Sequence, residues 1–216
     1  MTWWETVGEL LLPCECAGCG RAGAVLCARC RHALREPPHL VRRPRDIGTP
    51  VWALGDYTRM RRRLIISMKE YNNVAVRAHL GAVLAAGMDY LRARGDLPWQ
   101  LHLVPAPTRA RSARQRGGDP VLHMCQAAAR VGEALHVVPC VSLDSRSADQ
   151  THLGAYDRWS NTHGSVRVAA SAQLQGRDVI IVDDVVTTGA TLAATTAALR
   201  VHGAVVRGAV VLADAH

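Results

Sequence analysis

The chain has no phenylalanine, and aromatic residues make up only 4% of its 216 positions. A core of stacked aromatic rings is thereby excluded. Burial must rest on Val, Leu, Ala and Ile, and a hydrophobic content of 49% supplies them. Lysine occurs once, as Lys69, against 25 arginines. With abundant Ala and Gly, that skew fits a GC-rich genome and by itself carries no function. It leaves Lys69 as a choice between chance retention and a compact ammonium placed where a guanidinium fork would not fit. No apolar run approaches the roughly 20 residues of a membrane span. The opening MTWWETVGELLLP has no basic leader region and carries Glu5 and Glu9. Trp3, Val7 and Leu10 to Leu12 predict a short amphipathic helix there. A cytoplasmic protein is expected, and in that setting seven cysteines point to metal or buried thiols before disulfides.

Cys16-x-x-Cys19 and Cys27-x-x-Cys30 stand seven residues apart in CECAGCGRAGAVLCARCRH. Four thiolates at this spacing suit tetrahedral zinc, each CxxC turn presenting two sulfurs to one ion. Cys14 is a spare ligand candidate and His32 a weaker one, and reduced structural thiols are the alternative. Four protein ligands leave no open position, so any zinc is structural. Cys125 and Cys140 lie in apolar surroundings and read as buried small hydrophobes.

Residues 35 to 50 are rich in Pro and Arg and read as a linker. The length fits one medium domain with a small appendage, giving a zinc-binding module and linker over 1–45 and a main domain over 46–216. Beyond the linker, apolar patterning predicts strands at 51–57, 101–104, 137–143, 166–169, 178–182 and 204–212. Helices are expected at 77–94, 120–135 and 191–202. Alternating strands and helices indicate an α/β fold with a mostly parallel sheet flanked by helices.

The most informative run is VIIVDDVVTTGAT, residues 179 to 191. Val179 to Val182 are the continuous β-branched residues of a strand buried on both faces. Asp183 and Asp184 follow, then Thr187-Thr188-Gly189-Ala190-Thr191 leads into a helix. Ligands of open α/β sheets bind beyond the carboxyl ends of strands. A Thr/Gly loop at a helix N-terminus is an anion site, and the acids can accept from sugar hydroxyls. Together they describe a 5′-phosphorylated ribose; helix capping by Asp184 or Thr191 is the plainer alternative. A second strand end, Val104-Pro105-Ala106-Pro107, feeds a loop holding Arg109, Arg111, Arg114 and Arg116, a strong anion attractor.

The 179–191 run resembles the 5-phosphoribosyl-1-diphosphate (PRPP) motif of type I phosphoribosyltransferases. With the paired CxxC, Met68-Lys69, V-P-A-P at 104 to 107, Arg116-Gly117, and Arg146, Gln150, Leu153, Arg158 and Asn161, the whole chain resembles the ComF family. The resemblance implies a type I phosphoribosyltransferase fold behind a four-cysteine zinc module ligated by Cys16, Cys19, Cys27 and Cys30. It implies a PRPP site made of Asp183, Asp184, Thr187, Thr188, Gly189, Ala190 and Thr191, with Lys69, Arg109 and Arg116 toward the diphosphate. Asp183 and Asp184 are the catalytic candidates, engaging the ribose 2′ and 3′ hydroxyls, with Mg²⁺ bridging substrate oxygens. The acceptor is an unidentified nucleobase or amine, and a homodimer is the candidate assembly. The chain departs from the family at Gly118-Asp119, where Phe-Asn is usual. Thr187 replaces a carboxylate that some purine-salvage relatives carry, so no general base is visible in the motif.

A rival class is a non-catalytic PRPP sensor, or a DNA-uptake accessory protein that binds nucleic acid. Between Cys27 and Arg63, ten arginines face three carboxylates, Glu36, Asp46 and Asp56. Such a region can hold phosphate backbones without sequence preference. The scarcity of aromatics there, Trp52 and Tyr57, argues against single-strand binding by base stacking.

Overall fold

Asp178–Val186 forms strand β7, and its apolar stretch alternates between two cores. Ile180 and Val182 pack into one cluster while Val179 and Ile181 pack into the other, all of them fully buried. A computed structural model describes residues 14–42, 47–108, 118–143 and 166–215 of the chain. In order, its elements are α1 (Ala28–Ala33), β1 (His39–Leu40), β2 (Val51–Ala53), α2 (Arg59–Glu70), α3 (Val74–Ala93) and β3 (Leu101–Pro105). Then come α4 (Pro120–Val131), β4 (Leu135–Val137), β5 (Val141–Leu143), β6 (Val166–Val168), β7, α5 (Ala190–Val201) and β8 (Val205–Asp214).

Six strands pair in the order β1-β2-β8-β7-β3-β4. All neighbours are parallel except β1, which meets β2 antiparallel. The chain leaves β3 outward to β4 and leaves β7 outward to β8, on opposite sides. The β3–β7 boundary is therefore a topological switch point, where open α/β sheets hold their ligands. One sheet face packs against α2, α3, α4 and the cysteine module through Leu64, Met68, Leu84 and Met124. On the other face lies α5, through Leu192 and Leu199.

Several expectations shift at their edges for local reasons. The expected strand over 137–143 is two strands, because the chain turns at Val138 to Cys140 around Pro139, which has no N–H to donate. Strand β5 then pairs antiparallel with β6 in a separate two-stranded sheet, so 166–168 lies outside the main sheet. The basic cluster at Arg59 opens a helix, its first turn capped by Thr58, whose Oγ1 accepts from Arg61 N–H at 3.3 Å. The helix expected from residue 77 begins at Val74, with Asn73 capping at 3.1 Å to Val76 N–H. Part of the linker is the edge strand β1. By length and composition α3 is apolar enough to cross a membrane, yet Leu80, Leu84, Met88 and Leu91 are buried in the core. Cys125 and Cys140 are buried, as expected.

Candidate functional site

Strand β7 does not stop before the acids; it carries them and runs on to Val186. Asp183 pairs in register with Val211 of β8, so the carboxylates sit on a rigid strand rather than on a loop. Side chains alternate along a strand, which sends the two acids to opposite faces. Asp184 is buried and accepts from Lys69 Nζ at 2.7 Å. Asp183 Oδ1 accepts the N–H of Asp184 at 2.8 Å. Burial, and then the adjacent charge of Asp184, hold the Asp183 carboxyl well above its ordinary value; the Asp184 N–H and Lys69 pull the other way without offsetting this.

Beyond Val186 the backbone turns through Gly189, whose φ of 77° is left-handed, into α5. The first N–H groups of a helix lack intrahelical partners and favour anions, and Thr188 Oγ1 lies 3.4 Å from Ala190 N–H. A Cβ on Gly189 would run into Ile47 as well as strain the backbone. Gly189→Ala is therefore expected to cost about 1–3 kcal/mol. A urea midpoint equal to that of the native chain would remove the strain.

Lys69, Glu70, Asp184 and Thr187 line one cleft of ≈ 460 Å³, together with Tyr57, Ile65, Ile66, Val185 and Ala215. Tyr57, Ile65, Ile66, Lys69 and Glu70 supply one wall of it. The other strand end lies where the sequence placed it. Pro105 registers with Val182, and Ala106 N–H donates to Val182 O at 2.8 Å, so the V-P-A-P turn adjoins Asp183. Arg109, Arg111, Arg114 and Arg116 lie outside the described residues, as do Arg146, Gln150, Leu153, Arg158, Asn161 and residues 1 to 13.

Gly118-Asp119, the departure from Phe-Asn, has a visible role. Asp119 Oδ1 accepts from Val121 N–H at 2.9 Å and Leu122 N–H at 3.2 Å, capping α4 ahead of Pro120. Sequence reasoning missed Arg77, which it took as the start of an apolar helix. Arg77 is buried, donates to Met68 O at 3.3 Å, and shares a 3.0 Å hydrogen bond with His123 Nδ1. A guanidinium only donates, so that nitrogen accepts and bears no proton. Burial, then Arg77, accordingly lowers the His123 pKa. The pair pins the last turn of α2, next to Lys69. An arginine inside an otherwise apolar helix was the available signal.

The four-cysteine module forms from two local turns. Glu15 bridges Ala22, and Gly20 N–H donates to Cys16 O at 2.7 Å, closing the first knuckle. Cys27 precedes α1 and Cys30 lies three residues on, on the same helix face. The Sγ atoms of Cys16, Cys19, Cys27 and Cys30 all lie within 4.8 Å of one another, with Cys19 and Cys27 at 3.6 Å. Tetrahedral zinc with Zn–S bonds near 2.3 Å needs sulfur edges of about 3.8 Å, so the set fits and could hold the ion. Burial raises the Cys16 thiol, but N–H groups of Cys27, Cys19 and Gly18 outweigh it and bring its pKa to about 6, while burial and the neighbouring thiols push Cys30 up. Cys14 and His32 are exposed and stand apart from this cluster.

Comparison with known proteins agrees with this geometry. A phosphoribosyl transferase domain model matches residues 136–216, the segment holding β7 and α5. The DNA utilization protein YhgH of Salmonella typhi is 27% identical over 189 residues, covering 88% of this chain and 79% of its own length. Its Salmonella typhimurium counterpart is 28% identical over 191 residues, with the same coverage. The chain carries a phosphoribosyl transferase domain and is a homologue of YhgH, a ComF-family protein. An orotate phosphoribosyltransferase of Pyrobaculum islandicum is 42% identical over 52 residues, 24% of this chain and only about a quarter (27%) of the relative.

Proposed function

We propose that the chain binds PRPP with Mg²⁺ and transfers its phosphoribosyl group to a nitrogen acceptor. The observation that carries this reading is the convergence of Lys69, Asp184 and Thr187 on one cleft at the carboxyl end of the central strand. In this reading the 5′-phosphate accepts from the N–H groups and hydroxyls of residues 187 to 191. Asp183 and Asp184 accept from the ribose hydroxyls. Lys69, Arg109 and Arg116 attract the diphosphate. The acceptor nitrogen bonds to C1 as the C1–O bond to diphosphate breaks, so positive charge develops on the ring. Carboxylates held beside it favour that charge, and positioning supplies the rest. When bound, Mg²⁺ would neutralise the departing diphosphate, with Asp183 as the nearby protein group through water. A module over 1–45, a transferase domain over 46–216 and a cytoplasmic location complete the proposal. The test is a melting temperature raised by PRPP with Mg²⁺, followed by diphosphate release across a panel of nucleobases, amines and ammonia. A native chain indifferent to PRPP would sink the reading.

The second reading, a PRPP sensor or accessory protein that binds nucleic acid, is favoured by exposed Arg42, Arg59, Arg62 and Arg63 and by the printed name of the YhgH relatives. Arg61 does not belong to that surface, because it is buried in an ion pair with Glu36. Replacing Arg42, Arg62 and Arg63 by Gln is expected to reduce the slope of log K against log salt by about 2–3 units for duplex DNA. An unchanged slope speaks against this surface.

A further inference from the structure

Helix α2 touches both ends of the molecule's chemistry. Its Lys69 reaches Asp184 in the cleft. Eight residues earlier, about 12 Å back along the helix, its Arg61 reaches the cysteine module. Arg61 is 3% exposed, and its Nη2 donates to Ala33 O at 3.3 Å and to Glu36 Oε2 at 2.8 Å. Ala33 is the last residue of α1, the helix that carries Cys30. The guanidinium thus satisfies a terminal carbonyl of that helix and meets its negative end. Gly55 lies beneath, with a φ of 152°, where any Cβ would collide with the Arg61 guanidinium. Apolar packing follows the same path: Cys16, Leu26, Cys30 and Leu34 share one core cluster with Leu64, Ile65 and Met68 of α2.

We propose that Arg61 is a positioning residue that clamps α2 to the four-cysteine module and thereby sets Lys69 against Asp184. A metal-loaded module then braces the cleft, and loss of the metal or of the clamp slackens it. The consequence for PRPP affinity rests on the function proposed above; the Lys69–Asp184 contact does not. A helix held by its buried flank moves as a unit, so releasing its first turns shifts its last. Arg77, bound to Met68 O, holds the opposite end, which makes the expected change a loosening rather than a detachment.

The single lysine makes the test specific. Lys69 is 30% exposed at its side chain, so reductive methylation with ¹³C-formaldehyde labels it and the terminal amine, which titrates at lower pH. In the native, zinc-loaded chain the Lys69 methyl signal is expected away from the free-lysine position. Arg61→Met should move it toward that position while zinc stays near one per chain. Glu36→Gln, which removes the charge paired with Arg61, should move it part of the way, and zinc chelation of the native chain should reproduce the Arg61→Met spectrum. PRPP affinity should fall about tenfold in Arg61→Met. A folded, zinc-retaining Arg61→Met chain with a native Lys69 signal overturns the proposal. Should that variant fail to fold, Glu36→Gln and chelation decide by the same signal. A native chain that ignores PRPP overturns the transferase reading alone, because the methyl signal still reports on the clamp.

Discussion

Asp183→Asn with Asp184→Asn is expected to abolish stabilisation by PRPP and Mg²⁺ while leaving the fold intact. At a ligand concentration of 100 Kd the native chain should gain about 2.7 kcal/mol, on the order of 5–10 °C in Tm for a domain of this size. The double variant should gain nothing. The single variants separate two effects. Asp184→Asn removes the charge that Lys69 pairs with at 2.7 Å and should weaken both the apo protein and the ligand response. Asp183→Asn should weaken only the ligand response. Its carboxyl is held above the ordinary value by burial and by Asp184, so folding favours its protonated form. A group whose folded pKa is raised gives its full stability below the unfolded value and loses it as pH rises through the folded one. The loss begins near the ordinary value of 3.8 and continues upward. An uncharged Asn removes that slope. The Asp183→Asn apo protein should therefore be more stable than native at neutral pH. Melting scans from pH 4 to 8 check it: parallel native and variant curves would contradict the assignment of the raised carboxyl.

Cys16→Ala with Cys19→Ala is expected to have the larger effect on stability. Structural zinc in small modules contributes on the order of 10 kcal/mol of binding free energy at neutral pH, and two of its four ligands would be gone. Cys16 and Cys30 also belong to the core that holds Leu64 and Met68, so disorder of the module should spread to α2. The expected result is zinc near zero per chain, against about one in the native protein, a melting temperature lowered by 10 °C or more, and hydrogen exchange accelerated in residues 59 to 70. Cys14→Ala, at an exposed position outside the cluster, should keep its zinc and its native melting. A metal-free native chain that melts like the double variant would show that thiol packing alone holds the module.

What was legible in the sequence shares a physical basis. The β7 run and the paired CxxC are signals of local order, in which neighbouring residues carry both the structure and the chemistry. Continuous β-branched residues fix a buried strand, and acids directly after them are carried to its carboxyl end. What was not legible depends on partners far apart in the chain. Arg61 sits in a basic run, and nothing nearby shows that Glu36 and Ala33 will enclose it. Arg77 and His123 are 46 residues apart. Glu70 and Tyr57 became cleft residues only once α2 was laid over the sheet. The separation of β5 from the main sheet also lay beyond periodicity, because β-branched residues favour any strand and do not choose its neighbour.

The borders of the sheet bear on how copies of this chain can meet. Strand β1, at one border, is two residues long and antiparallel to the rest; β4, at the other, is three. Segments this short offer few backbone groups to an incoming strand. Among the described residues, such borders disfavour fusion of two molecules into one continuous sheet. That leaves side chains on helix and loop faces as the natural ground for pairing of copies, where substitutions can tune it without disturbing the strand that carries the acids.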